Sequence, residues 1–388
     1  MLSTVKNLFG EFMNAMIKKL LQGQAVEWRS LGEVLVRTKG TKITAGKMKE
    51  LHKSNAPIKI FAGGKTFALV DFDDIPQKDI NHKPSIIVKS RGIIEFEYYD
   101  KPFSHKNEMW AYHSQNPNIN IKFIYYFLKQ NEPYFQKIGS KMQMPQIATP
   151  DTDKFKIPIP PLSVQSHIVQ ILDTFTELND QLTAELSMRQ KQYQYYRDLL
   201  LSEHELAKVG FEWKTLGKLG IINRGKRVVK SQLTTEGVYP VYQNSLQPLG
   251  YFDKSNVKAN TTFMITAGAA GEIGYSNCAF WSADDCYYFD CPKDVLDDRF
   301  LYHSLKKQQN KIFSQVRKAS IPRLGRNSVE NIKIPIPPLS VQSQIVAILD
   351  TFDTLTQSIS EGLPKEIKLR QKQYEYYRER LLNFKATI

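Results

Sequence analysis

Cysteine is scarce in these 388 residues: Cys278, Cys286 and Cys291 form an odd set in one stretch, with no C-x-x-C pair among them. That excludes a disulfide framework and matches the usage of a reducing cytoplasm, where the chain is expected to reside. Buried thiols are the expected state, because a zinc ion held by these three and His303 lacks the paired spacing such sites use. No segment approaches the roughly 18 uninterrupted apolar residues of a membrane span. Leu8, Phe12, Met16 and Leu20 recur every fourth position with Lys18 and Lys19 among them, which predicts an amphipathic helix within residues 1–26 and not a signal core.

Catalytic signatures are missing too. Gly63-Gly64-Lys65-Thr66 imitates the end of a P-loop, but Lys59 stands where its first glycine belongs. Gly268, Gly271 and Gly274 do not have dinucleotide-binding spacing and read as a glycine-rich strand connection. Neither Asp-Pro-Pro-Tyr nor Asn-Pro-Pro-Tyr occurs, the tetrapeptides with which amino-methyltransferases hold their target nitrogen. The acidic pairs Asp73-Asp74, Asp284-Asp285 and Asp297-Asp298 place neighbours on opposite faces of a strand, a poor metal cradle. A non-catalytic protein is expected. Acidic residues are also in deficit, 39 against 53 Lys and Arg, for a formal charge of +14 and a pI near 9.4. Such an excess suits a polyanionic partner.

What the chain has in abundance is itself. Residues 156–166 read KIPIPPLSVQS, and so do residues 333–343. The identity continues through Ile168, Val169, Ile171, Leu172, Asp173, Thr174 and Phe175, matched by Ile345, Val346, Ile348, Leu349, Asp350, Thr351 and Phe352. Downstream, RQKQY with a following YYR occurs from Arg189 and again from Arg370, and upstream Glu27-Trp28-Arg29-Ser30-Leu31-Gly32 is answered by Glu212-Trp213-Lys214-Thr215-Leu216-Gly217. The register shifts from 177 to 181 residues between the first two blocks, so the second copy carries four extra residues. Between the frames lie two diverged modules rich in β-branched and aromatic residues. Ile86-Ile87-Val88 and Phe263-Met264-Ile265 read as matching strands, followed by glycine turns and by Trp110 and Trp281.

Each PIPPL block opens a long helix for which Ser163 and Ser340 are the expected N-caps. Apolar residues recur at alternating four and three spacing through Ile168, Leu172, Phe175, Leu182, Leu186, Tyr193, Tyr196 and Leu200, and through Ile345, Leu349, Phe352, Ile359, Leu363, Ile367, Tyr374, Tyr377 and Leu381. That is a coiled-coil seam. Gly362-Leu363-Pro364 breaks or kinks the second helix. Leu20-Leu21 precedes Glu27-Trp28 much as Leu200-Leu201 precedes Glu212-Trp213, which makes the arrangement nearly circular.

Two variable modules, each followed by IPIPPLSVQSxIVxILDTF and a helix ending RQKQYxYYR, resemble the specificity subunits of type I restriction-modification systems over essentially the whole chain. The resemblance implies an α+β fold with two target-recognition domains separated by two long antiparallel coiled-coil helices in a pseudo-twofold internal repeat. The expected boundaries are an N-terminal helix at 1–26, recognition domains at 27–155 and 207–332, and conserved helical regions at 156–206 and 333–388. It implies double-stranded DNA, two methyltransferase subunits and restriction subunits as partners, with no cofactor on this chain. S-adenosylmethionine would belong to the methyltransferase, which methylates adenine, and ATP and magnesium to the restriction subunit. The alternative from the residues alone is a coiled-coil scaffold linking two protein-binding modules without DNA.

Base readout needs Arg, Lys, Asn and Gln on loops that reach a groove. In the first module the candidates are Arg37, Lys39 and Lys42 early, Lys89 and Arg91 in the middle, and Lys141 and Gln143 late. In the second they are Arg224, Lys226 and Arg227 early, Gln243 and Asn244 in the middle, and Arg317, Lys318, Arg323 and Arg326 late.

Overall fold

The computed structural model describes residues 26–140, 144–358 and 360–384; the expected N-terminal helix and the candidates Lys141 and Gln143 lie outside these. The fold is α+β. Contacts divide the chain into two units, one made of the described parts of Met1–Gln181 and Lys368–Ile388, the other of Leu182–Ile367.

In the first unit, β1 (Glu27–Ser30) pairs antiparallel with β9 (Lys156–Ile159), Trp28 opposite Pro158, so the two repeated blocks that frame the module close on each other. A two-stranded sheet tolerates Pro158 because its missing N–H can face away from the partner strand. Between them β2 (Val36–Arg37), β8 (Trp110–His113), β5 (Ser85–Lys89) and β6 (Glu95–Tyr99) form a sheet in the order 2-8-5-6. A second sheet runs β4 (Phe67–Val70), β3 (Ile58–Phe61), β7 (Phe103–His105), with β3 and β7 parallel.

The second unit repeats this plan. β10 (Glu212–Thr215) pairs with β18 (Lys333–Ile336), Trp213 opposite Pro335. β11 (Ile222–Arg224), β17 (Cys286–Phe289), β14 (Thr261–Ile265) and β15 (Ile273–Ser276) give the order 11-17-14-15. β13 (Gly250–Phe252), β12 (Tyr239–Tyr242) and β16 (Trp281–Ser282) form the three-stranded sheet, again with one parallel pair. The strands expected at Ile86 and Phe263 occupy equivalent places in β5 and β14. The two tryptophans do not: Trp110 opens β8, whose counterpart is β17, whereas Trp281 opens β16, the counterpart of β7. Diverged modules retain strand order, and a single large aromatic can fill either core from a different strand.

The repeated motif explains itself through what it binds. Gln165 is fully buried; its Oε1 accepts from Asn120 N at 2.8 Å, and its Nε2 donates to Pro160 O at 2.7 Å and Asn118 O at 3.1 Å. Gln342 does the same with Asp297 N, Pro337 O and Val295 O at 2.9, 2.8 and 2.9 Å. Each glutamine thereby staples the PIPPL turn to the start of a module helix, α1 (Ile121–Gln130) or α3 (Asp298–Lys307). The aspartate of ILDTF grips the same helix one turn on. Asp173 takes Lys122 Nζ at 2.8 Å and the Tyr126 hydroxyl at 2.5 Å; Asp350 takes Arg299 Nε at 2.7 Å and His303 Nε2 at 2.6 Å.

The first long helix, α2 (Leu162–Leu200), is continuous over 39 residues. The second expected helix is two: α4 (Leu339–Gln357) and α5 (Gly362–Leu381). Gly362 takes φ +74° at the restart, and Pro364 sits in the first turn of α5, where its missing N–H breaks no helical bond. Ser163 and Ser340 are not N-caps. Both helices start two residues earlier than such caps would give, at Leu162 and Leu339, because the proline just before each already occupies the cap position; Pro338 has the non-helical φ −52° and ψ 145°.

Each unit is completed by the helix end of the other repeat. Leu381 and Leu382 are buried in the first core with Ile168 and Leu172, and Tyr377 stacks on Phe175 at 5.1 Å. Tyr193 and Leu201 are buried in the second with Ile345 and Leu349, and Tyr196 stacks on Phe352 at 5.4 Å. The helix end expected at Leu20-Leu21 ahead of the first module lies outside the described residues. Among the described residues no helix is long and apolar enough to cross a membrane.

Candidate nucleic-acid interface

Both early loops are pinned at a glycine. Thr41 N donates to His105 O at 2.8 Å, and a Cβ on Gly40 would lie 2.5 Å from that same oxygen. In the second module Lys226 N donates to Ser282 O at 2.8 Å, and a Cβ on Gly225 would lie 2.0 Å from Ala283 O. Only glycine allows this approach. Lys39-Gly40-Thr41-Lys42 and Arg224-Gly225-Lys226-Arg227 are therefore structural equivalents, and Lys39, Lys42, Arg224, Lys226 and Arg227 are exposed beside them. Under the first loop, burial holds His105 below the ordinary histidine value and so neutral. Its Nδ1–H donates to Lys106 O at 2.9 Å, which leaves Nε2 to accept from the Thr38 hydroxyl at 2.7 Å.

The next residue along each pinning strand reaches the three-stranded sheet: Lys106 N donates to Phe61 O and Ala283 N to Tyr242 O, both at 2.9 Å. From those points spring the β3–β4 and β12–β13 connections. The second carries Gln243, half-buried, and Asn244, exposed. The first carries Gly63, Gly64, Lys65 and Thr66, with Lys65, Thr66 and Phe67 exposed. The P-loop imitation is thus the first module's counterpart of the Gln243-Asn244 turn. Sequence reasoning passed over Lys65 by testing this peptide against a nucleotide cradle. The signal that identifies it is a glycine turn between two short strand-like runs, IKIF and FALV.

Middle and late loops meet in both modules. Gly92 N donates to Pro145 O at 2.9 Å and Ile147 N to Ser90 O at 3.0 Å; Gly268 N donates to Pro322 O at 3.1 Å and Leu324 N to Thr266 O at 2.8 Å. Gly92 and Gly268 both need positive φ, +74° and +81°. Arg91 faces Gln146 as Ala267 faces Arg323. In the second module the chain of contacts is unbroken, since Ala269 N also donates to Asn244 O at 2.9 Å. It joins the Arg224 loop, Asn244 and the Arg317–Arg323 pair on one surface. In the first module Arg91 lies close enough to Glu108 to help Lys106 lower that carboxyl against the opposing effect of burial.

Four sequence candidates are otherwise engaged or placed. Burial opposes the Lys89 ammonium, yet Glu97 at 2.8 Å and Glu95 at 3.4 Å raise its pKa and occupy it. Arg37 faces Asp153 at 3.6 Å, and Arg326, first residue of the Arg326–Glu330 helix, pairs with Glu330 at 2.7 Å. Lys318 is exposed at the late loop. Among the described residues Lys39, Lys42, Lys65, Arg91, Arg224, Lys226, Arg227, Arg317, Lys318 and Arg323 form no ion pair.

The cysteines divide. Burial pushes the Cys286 thiol up to about 12 and Cys291 further, as expected of buried thiols, but Cys278 is exposed. His303 spends Nε2 on Asp350, and its Nδ1 accepts from the Tyr193 hydroxyl at 3.2 Å. Among the described residues no three His, Cys, Asp or Glu side chains gather as a metal site would need. Asp297 caps α3 by accepting from Arg299 N and Phe300 N.

The family profile described as "Type I restriction modification DNA specificity domain" matches twice, at residues 25–188 and 208–369. The chain is 33% identical to the specificity subunit of the Escherichia coli type I restriction enzyme EcoR124I/EcoR124II, over 95% of this chain and 96% of that one. It is 31% identical to a putative type I restriction enzyme specificity subunit of Haemophilus influenzae, over 95% and 98%. Its fold is similar to that of the crystallised S subunit of a type I restriction-modification system from M. genitalium, with a TM-score of 0.70 at 20% identity, covering 94% of this chain and 98% of that one.

Proposed function

The chain belongs to the type I restriction-modification DNA specificity family, and from that premise we propose that each module reads one half of a bipartite DNA site through its early, hairpin and late loops. As a specificity subunit it is the DNA sequence-recognition component and not a catalytic one. One observation carries the assignment of loops. Two modules that have diverged in sequence tie the early loop to the hairpin and the middle loop to the late loop with matching backbone bonds, and among the described residues Lys39, Lys42, Lys65, Arg224, Lys226, Arg227, Arg317, Lys318 and Arg323 on those loops form no ion pair. A fold under no demand to meet phosphate gains nothing from keeping such charges unpaired.

Methyltransferase subunits dock on the long helices, restriction subunits join them, and no cofactor binds this chain. S-adenosylmethionine on the methyltransferase partner serves adenine methylation, and ATP with magnesium serves the restriction partner. α2 sets the distance between half-sites. Co-expression with the methyltransferase subunit, followed by methylome sequencing of host DNA, tests the reading. A split, asymmetric adenine-methylated motif that needs both proteins is the expected result. An assembled complex that leaves no motif would return the scaffold alternative.

A further inference from the structure

Most large apolar residues are buried, but each module exposes one immediately before the proline of its late loop. Met144 is 65% exposed and Ile321 is 53% exposed. These are equivalent positions, because each precedes the proline, Pro145 or Pro322, whose carbonyl accepts from Gly92 or Gly268. The modules around them share little sequence, so agreement at one exposed apolar site is not inherited with the framing motif. Ile93, next to Gly92, adds a second exposed apolar side chain at 62%.

The surroundings indicate what such a residue meets. Arg317 and Arg323 close the second loop by exchanging backbone bonds at 2.9 and 3.2 Å, which sets an exposed arginine on each side of Ile321. Arg91 stands beside Gln146 in the first. An apolar tip between unpaired cations suits a groove floor between phosphates better than an apolar protein surface. In the second loop Pro322 on one side and the Arg317–Arg323 bonds around it restrain Ile321, so less entropy is lost on contact.

We infer that Ile321 and Met144 enter the DNA groove, each laying its apolar side chain against base edges, while the flanking cations hold the backbone. A thymine methyl is the base feature such a side chain recognises. The inference rests on the reading that the late loops face DNA.

The test uses the complex of the full chain with its methyltransferase subunits, a duplex carrying the methylated motif, and a scrambled duplex. Ile321→Ala and Met144→Ala should each weaken binding to the motif about tenfold, leave scrambled DNA and the salt dependence unchanged, and leave assembly intact. Arg323→Ala should weaken both duplexes and flatten the salt dependence. If Arg323→Ala behaves so and the alanine variants bind as wild type, the groove contact is refuted while the interface stands. If Arg323→Ala also has no effect, the interface reading fails with it. Loss of subunit assembly in Ile321→Ala would make this a protein contact and overturn the inference.

Discussion

Replacing Gln342 with Leu preserves volume and removes three hydrogen bonds, those to Asp297 N, Pro337 O and Val295 O. All three partners surround a side chain with 0% exposure, so water does not replace the lost bonds. At a net value of about 1 kcal/mol per bond the substitution should cost about 3 kcal/mol, or roughly 150-fold in the opening equilibrium of the α3 start. Hydrogen exchange of the full chain reads this directly. Amides of the first turns of α3 and of β18 should lose protection, while those of α1 and β9 keep it. Gln165→Leu should give the mirror result. A cost below about 1 kcal/mol, or protection lost equally in both units, would refute the claim that each glutamine staples its own module.

Inserting four residues after Leu186 lengthens α2 by about 6 Å and should widen the spacer of the methylated motif by one or two base pairs; an unchanged spacer in the methylome rejects α2 as the ruler. Gly225→Val cannot fit beside Ala283 O and should displace the Arg224–Arg227 segment, lowering DNA affinity of the assembled complex at low salt without loss of assembly. Burial lowers the folded-state pKa of His303 and of His105. An unfolded histidine takes a proton below about pH 6.5 more readily than these folded ones, so stability should fall as the pH drops below about 6.5, by up to about 1.4 kcal/mol per pH unit per residue. Carboxylates such as Asp350, whose pKa is lowered, add their loss only below about pH 4. Denaturant midpoints in that upper window should flatten in His303→Tyr, and an unaltered slope would contradict a neutral His303.

How much was legible beforehand follows from what each residue is bound to. The repeated blocks could be read because their identities are spent on one another: Trp28 opposite Pro158, Gln165 on the PIPPL turn, Phe175 on Tyr377. Copy matching finds such residues without any structure. Loop candidates were legible as clusters and not singly. Nothing local separates Lys89, consumed by Glu97 across a β-hairpin, from Arg91 two residues on, which is exposed with no ion pair. The equivalence of Gly40 with Gly225 was hidden for the same reason, since it depends on carbonyls at His105 and Ala283 far along the chain. The serine caps failed because a Pro-Pro pair already holds the cap geometry.

The staples also determine which modules the frame accepts. Gln165 and Gln342 address only backbone atoms of the module, which any sequence supplies. Asp173 and Asp350 are more demanding: each needs a cation and a second donor four residues apart on the facing helix, met by Lys122 with Tyr126 or by Arg299 with His303. Two different solutions at one geometry mean that the frame asks for chemistry and not for identity. Exchanging residues 218–330 for a foreign module with such a pair should change one half-site of the methylated motif and leave the other. The double change Arg299→Lys with His303→Tyr imports the first module's pair and should retain assembly and motif. Arg299→Leu with His303→Leu leaves Asp350, and Asp353 beside it at 2.6 Å from Arg299, without partners. With Asp350 itself partly exposed, it should cost about 1 to 3 kcal/mol in the unfolding of that unit. Were the leucine pair to fold as stably as wild type, the carboxylate would be shown to select nothing, and module exchange would have to be governed by apolar packing alone.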